Sequence, residues 1–291
     1  MRSRFPWATS PSTDNPQVEP LGADQARLLR LPWLSRFSTS TLAAHLARHP
    51  DHSFWVPATG EYALGSPWRY RDDIAQIVEV HARRGKVQLV GSLARKMGDR
   101  GYKLVLLDDD TWRSDPRAFA ALGFSHLERI VFFHKELRAN DPVLMDMDVP
   151  NVEMEQASVA DLDLLMRLDH SSFPWLWWNS RIEFKSYIQQ PDVTVKVALS
   201  DDRPVGYASY TMYKGWAHLD RLAVITEQQG KGFGAAELRH VLCEMRDLGA
   251  LSVNLSTQEH NTRSHSLYTR FGFRQTSERT SFYAVDPGKL T

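Results

Sequence analysis

The chain has 291 residues, 42% of them hydrophobic, which is enough for two ordinary domains each with its own core. Thirty-five basic side chains balance thirty-five acidic ones, so the formal charge is zero; this argues against a nucleic acid or other polyanion as the main partner and for a small or neutral one. One cysteine, Cys243, rules out an internal disulfide and leaves no CxxC pair for zinc, a usage that fits the cytoplasm, and no apolar run has membrane-spanning length.

The opening "MRSRFPWATSPSTDNP" has two arginines but no apolar run after them, so residues 1–20 read as a loose tail and not as a signal peptide. The acidic run Asp108–Asp110 reads as a solvated loop without partner ligands at metal spacing. From Arg138 to Ser158, "RANDPVLMDMDVPNVEMEQAS" carries two prolines, several acids and no clear period; residues 139–151 read as a linker leading into a strand near Val152. "SVADLDLLMRLD" follows as a helix start, with Ser158 as N-cap, Asp161 three residues on, and Leu162, Leu165 and Met166 at helical spacing. Two alternating runs joined around Asp201–Pro204 predict a β-hairpin, and "HLDRLAV" predicts another strand. A glycine loop, a helix through Leu248, the strand "LSVNLS", a short helix at "SHSLYTRF" and a last strand "TSFYAV" complete the order.

The first half repeats this order in weaker form. Arg84, Gly85 and Lys86 fall opposite Gln229, Gly230 and Lys231, and Gly123 in "ALGFSHLERIVFF" falls opposite Gly272 in "RFGFRQTSERTSFY". Several short matches in one order predict a duplicated domain. In this correspondence Val87 and Leu89 stand opposite Gly232 and Gly234, and Phe119 stands opposite Tyr268.

The glycine loop "EQQGKGFGAAEL" places Gly230, Gly232 and Gly234 at every second position. A helix entry indifferent to glycine is a poor explanation, because each helical glycine costs about 1 kcal/mol relative to alanine. "GKGFGA" satisfies the GxGxxA dinucleotide fingerprint, but the approach from Val224 is long where that motif wants a tight turn, and no further strand and helix alternation follows. No glycine-lysine-serine/threonine sequence closes a nucleotide-triphosphate loop. The remaining reading is a loop whose backbone N–H groups converge on a pyrophosphate at a helix N-terminus, glycine supplying both the φ freedom and the close approach.

Gln229, Gly232 and Gly234 reproduce the QxxGxG motif, and Asn261, Leu267, Tyr268, Gly272 and Phe273 in "NTRSHSLYTRFGF" match an NxxAxxLYxxxGF segment, with Ser264 where alanine is usual. Together these resemble the GNAT N-acetyltransferases, over about Val152 to Val285. The resemblance implies an α/β (α+β) fold of two tandem GNAT domains, each a mixed, largely antiparallel sheet flanked by helices. Residues 21–138 would be a degenerate domain and residues 152–291 the catalytic one. Tandem proteins of this type include the mycothiol synthases.

The resemblance further implies acetyl-CoA as co-substrate, no metal, and direct attack by a primary amine within a ternary complex. Gly230, Lys231, Gly232, Phe233, Gly234 and Ala235 would hold the pyrophosphate with Gln229 beside them. Leu222, Ala223 and Val224 would pair with the pantetheine arm, and Asn261 would contact it. Tyr268 would be the general acid, or else a core tyrosine; His218 and Asp220, alternating on one strand, would supply the base or serve as ordinary sheet residues. "SSFPWLWWNS", Ser171–Ser180, resembles the aromatic segment of ribosomal-protein N-terminal acetyltransferases, and its rings would line the acceptor pocket or cement a domain interface. The acceptor is a protein N-terminal α-amine or a small-molecule amine, with no nucleic acid and no membrane involved. The alternatives are mycothiol-synthase-like acetylation of an amino-sugar thiol precursor and a non-catalytic acyl-CoA-binding module. Val87, Leu89 and Phe119 predict that the first repeat binds cofactor poorly and is silent in catalysis.

Overall fold

The computed structural model describes residues 17–83, 85–138, 141, 144 and 148–290. The chain forms two compact units: residues 1–66, 73–124 and 285–291 make the first, and residues 67–72 and 125–284 the second.

The described part of the first unit has a sheet in the order β1 (Glu19–Pro20), β2 (Phe54–Val56), β3 (Glu61–Pro67), β4 (Ile74–His81) and β5 (Leu104–Asp108), with the β4/β5 pair parallel. Helix α1 (Thr39–Arg48) starts at a Ser38 cap, and α2 (Lys86–Asp99) buries Leu89, Val90, Leu93 and Met97, one helical face. Two short helices follow, α3 (Asp109–Ser114) and α4 (Pro116–Ala121). The acidic run expected as a loop instead turns β5 into α3: the Thr111 amide donates to Asp108 Oδ1 at 3.0 Å, and Asp109 and Asp110 complement the helix N-terminus. Of the expected tail, residues 1–16 lie outside the described residues, and Glu19–Pro20 pairs with β2. Most of the expected linker also lies outside them.

The second unit carries β6 (Ser125–Glu136), β7 (Glu153–Gln156), α5 (Leu162–Ser172), α6 (Arg181–Ile188), β8 (Val193–Ser200), β9 (Arg203–Tyr213), β10 (Trp216–Val224), α7 (Phe233–Asp247), β11 (Ser252–Gln258), α8 (Thr262–Arg270) and β12 (Arg274–Val285). Its strands run β12-β6-β11-β10-β9-β8-β7. The β8/β9 hairpin turns on Asp201 and Asp202, whose φ values of 50° and 57° are those of a type I′ turn. On one face of the sheet Leu238, Val241, Leu242 and Met245 of α7 pack over β9 to β11; on the other, Leu165, Leu168 and Phe184 of α5 and α6 pack on Val195, Val197 and Tyr207. Both faces are covered, which explains why β9 is apolar along nearly its whole length.

The domain limits 21–138 and 152–291 therefore do not coincide with the compact units. Ser125–Glu136, counted with the first domain by its sequence position, runs antiparallel between β11 and β12, so both of its backbone edges are paired inside the second unit. Residues 67–72 also belong to that unit, and residues 285–291 to the first.

The expected duplication has one clear local counterpart. After α8 the Phe273 amide donates to Tyr268 O at 3.0 Å and Gly272 has φ 82°; after α4 the Phe124 amide donates to Phe119 O at 3.1 Å and Gly123 has φ 82°. The same glycine C-cap is built twice, with phenylalanine where the second copy has tyrosine.

Candidate active site

The site begins where two strands part. β10 and β11 pair in parallel only from Trp216/Ser252 to Leu219/Leu255. At Asp220 the register of β10 on β9 jumps from Leu219 to Arg221, a bulge that bends the strand, while β11 stays paired with β6 as far as Gln258. Residues 220–224 thus keep β9 on one edge and open the other into a cavity of about 1060 Å3. Ligand pockets span about 300–1,000 Å3, so this one lies at the top of that range.

At the end of β10 a turn at Thr226–Gln228 leads to the glycine loop. Gly230 has φ 82° and Gly232, the N-cap of α7, has φ 93°, a region L-residues rarely adopt. A Cβ on Gly232 would also lie 2.8 Å from Pro150 Cδ, whereas one on Gly234 would meet only ordinary contacts. Two glycines are thus required by the backbone itself, whereas neither backbone nor packing demands glycine at 234. Among the described residues, no acceptor meets the amides of Gly230 to Gly234, while the Ala235 amide is spent on Gly232 O at 2.9 Å. Gln229 braces the loop: its Nε2 donates to Val224 O at 3.0 Å, and Arg263 donates to its Oε1. Leu222, Ala223, Val224, Gln229, Gly230, Gly232, Gly234 and Ala235 all line the cavity; Lys231 and Phe233 do not. Lys231 turns to Gln228 Oε1 at 2.8 Å.

Tyr268, buried on α8, lines the same cavity, and burial pushes its phenol up to about 12 against an opposing hydrogen bond from Ser264. It remains a proton donor throughout the neutral range. Asn261 lines the cavity too, but its Oδ1 caps α8 by accepting from the Ser264 amide at 3.2 Å. Asp220 reaches the cavity, while His218 stands behind it, with Nδ1 2.9 Å from Asp220 Oδ1. Thr211 donates to Asp220 Oδ2 at 2.7 Å and the Tyr187 hydroxyl donates to the same oxygen, so the carboxylate is fixed by three donors. The Tyr187 phenol is pushed up by burial and by Asp220 itself.

The aromatic run divides its rings. Phe173, Pro174 and Trp177 line the cavity, while Trp178 stacks on His170 at 4.3 Å and Trp175 lies under the Arg71 guanidinium at 4.9 Å. Beneath the run is a charge network that the sequence reading missed. Buried Asp169 accepts from the Tyr207 hydroxyl at 2.6 Å and the Asn179 amide at 2.8 Å, with Arg221 Nη1 at 3.7 Å. Arg221 also donates to Trp177 O and Asn179 Oδ1, both at 2.8 Å. The only sequence signal for these residues was their adjacency to quoted motifs, Arg221 to Asp220 and Asp169 to the aromatic run. Trp68 and Arg69, which also line the cavity, gave no signal, because they come from more than a hundred residues away in the chain.

The comparisons with known proteins agree with this geometry. Residues 162–273 match the model of the acetyltransferase (GNAT) family. This segment is a GNAT domain. An uncharacterized N-acetyltransferase of Mycobacterium tuberculosis is 32% identical over 104 residues, 35% of this chain and 65% of that protein, so the match spans under two thirds of the relative. The [ribosomal protein bS18]-alanine N-acetyltransferase of Salmonella typhimurium is 27% identical over 89 residues, 31% of this chain and 60% of that one. A tandem GNAT protein from the clavulanic acid biosynthesis pathway superposes with TM-score 0.55 at 16% identity, covering 94% of this chain and 99% of its own. The GNAT segment alone accounts for the parted strands, glycine loop and Tyr268, and the tandem likeness extends the fold across both units. Among the described residues no cluster of metal-binding side chains occurs, and no helix is long and apolar enough to cross a membrane.

Proposed function

We propose that the second unit is an acetyl-CoA-dependent N-acetyltransferase acting on a primary amine by direct attack. One observation carries the reading: among the described residues the amides of Gly230 to Gly234, at the N-terminus of α7 and beside the unpaired edge of β10, meet no acceptor. Converging amides and a helix N-terminus suit a pyrophosphate, and an open strand edge suits the amide-containing pantetheine arm, so the residues fit coenzyme A. Bound acetyl-CoA supplies an acetyl group activated as a thioester.

The roles then divide among the chain's own side chains. Gly230, Gly232 and Gly234 hold phosphate oxygens through backbone N–H. Leu222 to Val224 align the arm, and an amide there stabilises negative charge developing on the carbonyl oxygen. Asn261 keeps α8 in register at the cavity wall. The Tyr268 phenol donates a proton to the departing sulfur. Asp220 accepts the amine proton, and His218 is a positioning residue that fixes its carboxylate. This assignment favours an α-amine, since neutralising an amine of pKa near 8 at pH 7 costs about 1.4 kcal/mol against about 4.6 for a lysine-type amine. The name of the Salmonella relative, an alanine N-acetyltransferase for a ribosomal protein, also supports an α-amine. The first unit would be a degenerate repeat, without cofactor.

The test is coenzyme A release from acetyl-CoA, followed with a thiol reagent, over a panel of peptide α-amines, lysine-type amines and amino sugars. Transfer to at least one α-amine is expected; no transfer to any amine overturns the reading in favour of a binding module.

A further inference from the structure

One aromatic wall of the cavity is built in part by residues that the first half of the chain contributes. Trp68, Trp177 and Phe282 meet edge to face with ring centroids 5.6 to 5.9 Å apart, and all three line the cavity. Phe132, on the strand inserted between β11 and β12, lines it as well. Trp68 and Arg69 sit on a backbone that is expensive to hold, since Arg69 and Tyr70 both have φ 53° without being glycine. Each such residue costs about 1–2 kcal/mol, and such conformations persist where the surroundings over-determine them.

The surroundings here do so. Trp68 Nε1 donates to Leu176 O at 2.9 Å, Arg69 bonds Asn179 and meets Glu183 Oε1 at 3.1 Å, and Arg71 bonds Trp175 O. Every one of these anchors is on the aromatic run or the start of α6, so the strained turn and the aromatic run hold each other in one geometry.

Charge orients what would lie there. The Arg69 guanidinium is 5.5 Å from the Trp68 ring and 5.9 Å from the Trp177 ring, which already gives those π-faces a cation. A second cation is unwelcome at those rings, whereas the fixed Asp220 carboxylate, which lines the same cavity, attracts an ammonium.

Resting on the acetyltransferase reading, we propose that the acceptor is the α-amine of an amino-acid residue whose own side chain is aromatic or bulky and apolar. That side chain lies against Trp68, Trp177 and Phe282, and the amine faces Asp220. Trp68 and Arg69 are specificity residues brought from the first half of the chain, and side chains ending in a cation are rejected.

The experiment uses the full chain with three probes: the dipeptide amides of phenylalanyl-alanine, glycyl-alanine and lysyl-alanine. Transfer rates from acetyl-CoA are compared, and dipeptide binding is measured by calorimetry with coenzyme A present. Burying one aromatic ring predicts a preference of about 30-fold or more in kcat/KM for the phenylalanyl over both other probes. Trp68→Ala should reduce that preference at least about tenfold and Trp68→Phe should retain most of it; thermal melts report whether each variant folds. Equal use of the glycyl and phenylalanyl probes, or a preference unaltered in a folded Trp68→Ala, overturns the proposal while leaving acetyl transfer intact. Selective binding of the phenylalanyl probe without any transfer would sink the acetyltransferase reading and leave the wall assigned. Neither binding nor transfer of that probe overturns the proposal.

Discussion

The two units each place a loop between a strand and a long helix, and the loops end differently. In the second unit residues 225–232 separate β10 from α7, two of its glycines have positive φ, and the amides of Gly230 to Gly232 meet no acceptor among the described residues. In the first, only residues 82–85 separate β4 from α2. There the amides of Arg83 and Gly85 donate to Glu61 Oε1 and Oε2 at 2.7 and 3.2 Å. A carboxylate from the protein takes up these amides at the start of α2, where a helix N-terminus favours an anion. The two loops therefore differ in length and in the anion that the protein itself supplies. Val87 and Leu89, which stand opposite Gly232 and Gly234 in the sequence correspondence, both lie within α2, Val87 exposed and Leu89 in the core.

The largest effect that would sharpen this contrast is Gly232→Val. Left-handed backbone and the Pro150 contact both oppose it, so acetyl-CoA binding should fall by about 100-fold or more and stability by about 1–3 kcal/mol, measured by calorimetry and a thermal melt. Gly85→Ala in the first unit, where φ is −89°, should leave acetyl transfer unaltered. Next is Tyr268→Phe, which gives the second unit the ring of Phe119. The rate should fall about 100-fold, the low end for a lost proton donor because a thiolate already leaves readily, with acetyl-CoA binding retained. Wild-type rates in that variant would remove Tyr268 from the chemistry.

Glu61→Ala frees the two amides of the short loop. It should cost about 1.5–3 kcal/mol of first-unit stability, the value of hydrogen bonds to a charged group, and should create no second acetyl-CoA site. A gain of binding would show that the plug, and not the loop length, silences this unit. Glu237 in α7 is a fully buried carboxyl without a hydrogen-bond partner among the described residues, pushed well up by burial. Glu237→Gln should change stability near pH 7 by less than about 1 kcal/mol, since one neutral polar group replaces another.

The smallest difference is in pH response. His45, His49 and His52 of the first unit are all lowered mainly by burial, His49 to about 4. A depressed histidine is held neutral by folding, so the unfolded chain binds more protons below pH 6.5 and stability falls as pH drops from there towards 4. Replacing His49 by Gln should flatten that acid limb in a melt series.

The second unit was legible in the sequence because its signals are local. The Ser158 cap, the hairpin at Asp201, the glycine loop and the Tyr268 helix each depend on residues within about a turn or two of one another. Tyr268 and Asp220 reach the cavity as the motif and strand alternation implied, while His218 is set back by one hydrogen bond. The bulge at Asp220 could not be read, since it depends on the register of β10 against β9. Nor could the exchange of segments: nothing local in "SHLERIVFFHKE" says that its neighbours will be β11 and β12, and nothing in "PWRYRD" says that it closes on the aromatic run. Long-range pairing fixed those, and it fixed the aromatic wall of the cavity with them.

One coenzyme site per chain is expected, at the loop whose glycine amides are open and not at the loop held by Glu61. Calorimetric titration of the full chain with acetyl-CoA decides it: one site, lost in Gly232→Val and kept in Gly85→Ala, is the expected result. Two sites, or binding that survives Gly232→Val and disappears in Gly85→Ala, would overturn it.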